Sequence, residues 1–358
     1  MRITFVLPVA DLSGGIRVVA THAAWLIKRG HQVALVSVPP TLPSLRDRVR
    51  ALVREHRILP LVPKPTSHLD GLDGNHRVID QFRPIVDADL PDADVVVATW
   101  WETAEWVARL SASKGRKAYF VQGHECLENT PHDRVAATYR SPLRKITIAQ
   151  WLVDLMGKRY GDPTSILVPN AVDHVVFDSP ARDKQEVPTV GLMYTDVACK
   201  GCDVALRAVA LARQTIPNLK LRSFGRALVP GLPLPTGTDF TTEPTAEELR
   251  RNYSACDAWL FGSREEGFGL PILEAMACHT PVIGTPAGAA PELLAGGAGV
   301  LVPPDDPESM ARAIVDVCRM DNPAWRRLSE AAYARAAQYN WEPVSTKFEA
   351  ALTAIARA

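Results

Sequence analysis

Nowhere in the 358 residues does an apolar run reach the roughly 18–20 residues that a membrane span needs. Net charge is also missing. Forty Lys and Arg balance forty Asp and Glu, so bulk electrostatics give no reason to expect a nucleic-acid partner. The six cysteines, Cys126, Cys199, Cys202, Cys256, Cys278 and Cys318, are scattered along a long chain. That spacing excludes a disulfide-stapled mini-fold and leads to the expectation of reduced thiols in a cytoplasmic protein. Cys199 and Cys202 form a single CxxC, but no second pair or suitably spaced histidines accompany it. No metal site is therefore expected, and a redox dithiol is disfavoured because the Lys-Gly inside the pair has a better use. The opening MRITFVLPVADLSGG lacks the long apolar core and small-residue cleavage site of a signal peptide. A GxGxxG turn followed by a closing acid is absent too, which disfavours a nicotinamide dehydrogenase. Low-complexity tracts and short repeats are not visible.

What is present is alternating α/β grammar, in a chain long enough for two domains. Near the start, RITFVLP, VADLSGGI, RVVATHAAWLIKRGH and QVALVSV read as strand, glycine turn, helix and strand. Val18, Val19, Ala23, Leu26 and Ile27 supply the helix's apolar face, and Gly30 stops it. The second half repeats the scheme with TVGLMY, TDVACKGC, DVALRAVALARQTIPN and LKLRSFG. DADVVVATWW and RKAYFVQG read as further buried strands in the first half, as do DAWLFGS, TPVIGT and AGVLVPP in the second. The junction falls near ILVPNAVD, residues 166–173, and the Pro-rich stretch 230–244 reads as a surface loop. Two Rossmann-like domains facing across a cleft follow, with boundaries at 1–169 and 170–340. The terminal amphipathic helix, 341–358, is expected to pack back on the N-terminal domain through Trp341, Val344, Phe348 and Leu352.

Ligands of open α/β sheets bind beyond the carboxyl ends of the strands. Two glycine turns sit at such ends. Gly14 and Gly15 let backbone amides approach a phosphate or sugar, or make an ordinary βα turn. Lys200, before Gly201, can neutralise a diphosphate as a point charge, or lie in solvent. The most informative stretch is GSREEGFGLPILEAMACHTPVIGT, residues 262–285. Pro271 suits a first helical turn, where its missing N–H costs nothing. The amides of Gly269 and Leu270 can then face anionic oxygens. Glu266 and Glu274 flank this turn, placed either to hold sugar hydroxyls or to stabilise the helix end by about 0.3–1 kcal/mol each. Trp100, Trp101 and Trp106 crowd one strand-to-helix junction, as sugar-stacking faces or as core. The stretch LRDRVRALVREHRI puts Leu45, Val49, Leu52 and Val53 on one face, with Arg46, Arg48, Arg50, Arg54 and Arg57 largely elsewhere. It reads as a helix packed on its domain, or as a surface for peripheral contact at the inner membrane face.

The stretch SREEGFGLPILEAMACHTPVIGT resembles the signature of GT-B glycosyltransferases of the large retaining family 4, which carries two glutamates separated by seven residues. The likeness extends over nearly the whole chain through SGGIRVVATHAAWLIKRGHQVALVS, LVPNAVD, KG at 200–201, GAGVLVPPDDPESMARAI and YNWE. ATWWETAEWV, YFVQGHE and ATYRSPLRKITIAQWL are most similar to a rhamnosyltransferase-like branch.

The resemblance implies a nucleotide-sugar donor held mainly by the C-terminal domain, and an acceptor held by the N-terminal one. It implies transfer with retention and without a metal or other cofactor. By motif, Glu274 is expected on the ribose, Glu266 on the donor sugar, Lys200 on the diphosphate and Gly15, with Gly14, beside it. Gly267, Phe268, Gly269 and Leu270 complete the donor turn. His124 is expected at the reacting centre, and Glu125, Trp100 and Trp101 at the acceptor. A deoxythymidine-diphosphate deoxysugar such as rhamnose is the favoured donor, with UDP- and GDP-sugars as alternatives. The acceptor is a glycan, a lipid-linked sugar or a small molecule. Two departures stand out. Leu192 follows Gly191 where an arginine is usual, so Arg226 or Arg264 is expected to supply the missing cation. His279 stands where glycine is usual. Rival readings are a sugar-nucleotide epimerase, a phosphorylase (for which no cofactor lysine is evident) and a non-catalytic nucleotide-sugar-binding partner subunit.

Overall fold

Two parallel sheets, wound in the same order, organise the chain. The computed structural model describes residues 1–40, 53, 66–72 and 74–358. The basic stretch LRDRVRALVREHRI lies outside the described residues apart from Val53. Contacts divide the chain into two units. One comprises Met1–Thr147, Leu152–Val168 and Ser345–Ala358, the other Ile148–Trp151 and Pro169–Val344.

In the first unit the described strands are β1 (Arg2–Leu7), β2 (Gln32–Ser37), β3 (His76–Val78), β4 (Val95–Ala98), β5 (Arg116–Val121), β6 (Arg144–Thr147) and β7 (Ile166–Leu167). They pair in parallel in the order β3-β2-β1-β4-β5-β6-β7. A sheet covered on both faces wants continuous apolar strands. All of Val95–Ala98 is buried, as is β1 after Arg2. Helix α1 (Gly14–Lys28) buries Val18, Val19, Ala23 and Leu26, whereas Ile27 is only half-buried. Helices α2 (Trp101–Arg109) and α3 (His132–Arg140) follow β4 and β5. Helix α4 (Gln150–Tyr160) follows β6.

The second unit holds β8 (Thr189–Met193), β9 (Lys220–Gly225), β10 (Asp239–Thr242), β11 (Ala258–Phe261), β12 (Val282–Gly284) and β13 (Gly299–Leu301). Their order, β10-β9-β8-β11-β12-β13, repeats the winding of the first sheet. Helices α5 (Cys202–Thr215), α6 (Ala246–Ser254), α7 (Leu270–Ala277), α8 (Ala290–Leu293), α9 (Pro307–Arg319) and α10 (Asn322–Ala336) belong here. Val190, Leu192, Val209, Ile314 and Trp325 share one apolar core. The Pro-rich stretch 230–244 is not all loop. Residues Asp239–Thr242 pair with β9 as an edge strand. Edge strands are short and half-exposed, so this one lacks the apolar run that marks its neighbours.

The last helix, α11 (Trp341–Arg357), packs on the first unit from Ser345 onward. Phe348 is fully buried. Its ring stacks on His22 at 4.2 Å and meets Phe120 at 5.1 Å. Ser345 Oγ lies 3.1 Å from His22 Nδ1, and Glu349 pairs with Arg29 and His31.

Candidate active site

In each sheet the winding reverses between its first strand and the strand that follows on the other side: β1 and β4 in one unit, β8 and β11 in the other. Such a switch point leaves a crevice at the strands' carboxyl ends. In the second unit, the loop after β8 carries Lys200 and the loop after β11 carries Glu266. Their side chains meet as an ion pair, Nζ to Oε2 at 2.7 Å, with 28% and 18% of each side chain exposed.

The local chain geometry is demanding. Gly201 adopts φ +58, and a Cβ there would stand 1.9 Å from the carbonyl oxygen of Gly262. No other residue permits that approach of the two loops. A Cβ at Gly288 (φ +60) would crowd the Glu266 side chain at 3.0 Å. Trp151 Nε1 donates to the carbonyl of Gly267 at 2.9 Å and pins the turn. Gly269, at φ +98, caps α7, with Pro271 in its first turn. The first amides of a helix have no partner within it, so this end favours anions.

Glu274, one turn into α7, is 5% exposed, and Tyr253 donates its hydroxyl to Oε2 at 2.8 Å. Phe268 is 2% exposed, and its carbonyl accepts from the Ala289 amide at 3.1 Å. Its ring is therefore packed inside the protein, beneath the turn. Leu270 begins α7 with a buried side chain.

The two expected substitute cations differ. Arg226 is exposed just past β9. Arg264 is bound to three partners, with 29% of its side chain exposed. It makes two bonds to Asp203 at 3.0 and 2.8 Å and one to Asp305 at 2.6 Å, and it donates to the carbonyl of Ala198. Leu192 lies in the apolar core at 2% exposure, within β8 rather than at its end. His279 adopts φ +55 directly after α7, which explains why glycine suits the position. Its ring stacks on Tyr333 at 4.0 Å. The CxxC is a pair of free thiols. Burial pushes Cys202 up to about 11, the reverse of the lowering that a redox cysteine needs.

In the first unit, Gly14 and Gly15 are the first residues of α1 itself, after Ser13 as cap. A Cβ at Gly15 would reach only ordinary contact with the Gln122 amide, at 3.4 Å. Trp100 is half-buried. Trp101 is 5% exposed, with the Arg134 guanidinium 4.9 Å over its ring, and Trp106 is buried too. Glu125 is 3% exposed. It accepts from the Trp101 amide at 2.7 Å and the Tyr119 hydroxyl at 2.6 Å. Trp101 and Glu125 are therefore buried together at the β4–α2 junction, where the backbone of one is held by the carboxylate of the other. Burial raises the Glu125 carboxyl to about 8, against the two hydrogen bonds that lower it. His124 stands beside it, half-buried, with Nε2 2.7 Å from the Tyr160 hydroxyl. Burial first, then the neighbouring Arg159 and His132, lower its pKa from the ordinary imidazole value.

The protein-family model described as Glycosyl transferases group 1 matches residues 184–320, which contain Lys200, Glu266 and Glu274. The fold is GT-B. Sucrose-phosphate synthase from Thermosynechococcus elongatus superposes with a TM-score of 0.72 over 99% of both chains, at 17% identity. The D-inositol 3-phosphate glycosyltransferase of Geodermatophilus obscurus is 28% identical over 341 residues, 94% of this chain and 64% of that protein. The O-antigen chain mannosyltransferase B of Escherichia coli is 36% identical over 102 residues, 28% of this GT-B chain and 26% of that protein. The chain thus spans less than two thirds of the length of these curated relatives. Among the described residues of this GT-B chain, no helix is long and apolar enough to cross a membrane.

The contacts that sequence reasoning missed are Asp203 and Asp305 on Arg264, Tyr253 on Glu274, and Tyr160 on His124. Each joins positions 21 to 61 residues apart, beyond any local spacing rule. Gly288, in the run PAGAAPE, carried the one available signal, a glycine in a turn opposite the glutamate loop.

Proposed function

We propose that this chain is a retaining glycosyltransferase that moves a sugar from a nucleoside-diphosphate sugar to an acceptor hydroxyl. The Lys200–Glu266 pair carries the reading. It sets one cation and one carboxylate side by side, next to a helix end, on the residues that match the group 1 family. Breaking the sugar–phosphate bond leaves growing negative charge on the diphosphate. Lys200 and the α7 N-terminus would stabilise that charge most in the transition state, which is what accelerates a reaction. Glu266 would hold hydroxyls of the donor sugar, and Glu274 those of the ribose. The departing phosphate oxygen would take the acceptor proton on the face it leaves, so no carboxylate nucleophile is needed. These charges belong to the chain itself, so the reaction is proposed to proceed without a metal. A dTDP-deoxysugar such as rhamnose is the first donor to test, with UDP- and GDP-sugars beside it, and a glycan, lipid-linked or small-molecule acceptor.

The test compares wild type with Lys200→Ala on a panel of dTDP-, UDP- and GDP-sugars in the presence of EDTA. Nucleoside diphosphate release should occur with one donor and fall roughly 10²–10³-fold in the variant. The product anomer, read by NMR, should match that of the donor. Near-normal turnover by a folded Lys200→Ala, or an inverted product, would sink the assignment.

A further inference from the structure

The two loops that bring Lys200 to Glu266 are tied together through Arg264 and its neighbour. The Arg264 amide donates to the Cys199 carbonyl at 2.7 Å, and the Glu265 amide shares that oxygen at 3.3 Å. The Arg264 guanidinium then spans three elements. It reaches the carbonyl of Ala198 in the Lys200 turn, both carboxylate oxygens of Asp203 in the first turn of α5, and Asp305 in the turn before α9. Asp305 adopts φ +55, a left-handed conformation that Asp tolerates better than most residues. A planar fork with five donors suits such a junction, and a lysine cannot reproduce it. Lys200 stands one residue beyond Cys199, and Glu266 two beyond Arg264.

We propose that Arg264 is a positioning residue that sets the register of Lys200 against Glu266, and is not a ligand of the diphosphate. This rests on the donor-site reading above. The rival role, a direct diphosphate cation, makes the opposite prediction for its acidic partners. Two carboxylates now neutralise the guanidinium. If Arg264 met the diphosphate directly, removing their charge would release it and tighten binding. If Arg264 positions, removing them loosens the junction and weakens binding through Lys200.

The experiment is calorimetric titration of UDP, dTDP and GDP into wild type, Arg264→Lys and the double variant Asp203→Asn/Asp305→Asn. Each is repeated in a Lys200→Ala background, with unfolding midpoints recorded. Both changes should weaken binding of the preferred nucleotide about tenfold, and by no more than about twofold once Lys200 is gone. Arg264→Lys keeps the charge and answers the question if the acidic double variant does not fold. Unchanged or tighter binding in the double variant overturns the proposal. So does a loss of equal size without Lys200, which would mark general damage to the fold. If wild type binds none of the three nucleotides, the donor-site reading itself falls, and the proposal with it.

Discussion

Glu125 shows how a residue's surroundings decide its chemistry. Its carboxyl is buried between the Trp101 amide and the Tyr119 hydroxyl. Desolvation outweighs both hydrogen bonds and raises its pKa from 4.5 to about 8. The folded state therefore holds a proton that the unfolded state has already lost between these values. Stability at this site is fully present below about pH 4.5 and drains as pH rises toward about 8. Glu125→Gln should remove that dependence, so that the unfolding midpoint changes less between pH 5 and pH 8 than in wild type. Equal slopes for the two proteins would show that the carboxylate is ionised at little cost. At the same scale, the sequence made Lys200, Glu266 and Glu274 legible, because glycines and a proline surround them within a few positions. It did not make the partners of Arg264 legible, because Asp203 and Asp305 come from 61 and 41 residues away.

Among the elements, α11 ties the chain's end to its beginning. Phe348 is buried against His22 and Phe120, and also stacks on Phe5 at 6.2 Å. Phe348→Ala should destabilise the first unit by about 3–5 kcal/mol, measured by denaturant unfolding. A loss below about 1 kcal/mol would mean that the helix is not docked there. Burial lowers His22 to about 3, so the folded unit keeps it neutral. Its contribution is complete above pH 6.5 and declines as pH falls toward about 3. The strands with long apolar runs were legible from sequence alone, as was the amphipathic end helix. The edge strand β10, Asp239–Thr242, was not, since DFTT carries one large apolar residue and follows a proline-rich turn. Two-residue β7 is shorter than any pattern can register.

On the scale of the whole molecule, the repeated strand–turn–helix grammar matched two sheets of like winding, because a parallel sheet writes itself as separate apolar runs. What the sequence left open is which loops approach one another at each switch point. The Lys200–Glu266 pair, 66 residues apart, appears only once β8 and β11 lie side by side. Its meaning turns on whether a nucleotide occupies that place. The most direct measurement is calorimetric binding of UDP, dTDP and GDP at matched salt to wild type and Glu274→Ala. The expected result is tight binding of one nucleotide by wild type, weakened about tenfold or more in the variant, since on the proposed reading the ribose hydroxyls lose their acceptor. Binding of equal strength by both proteins would contradict the placement of the donor at α7.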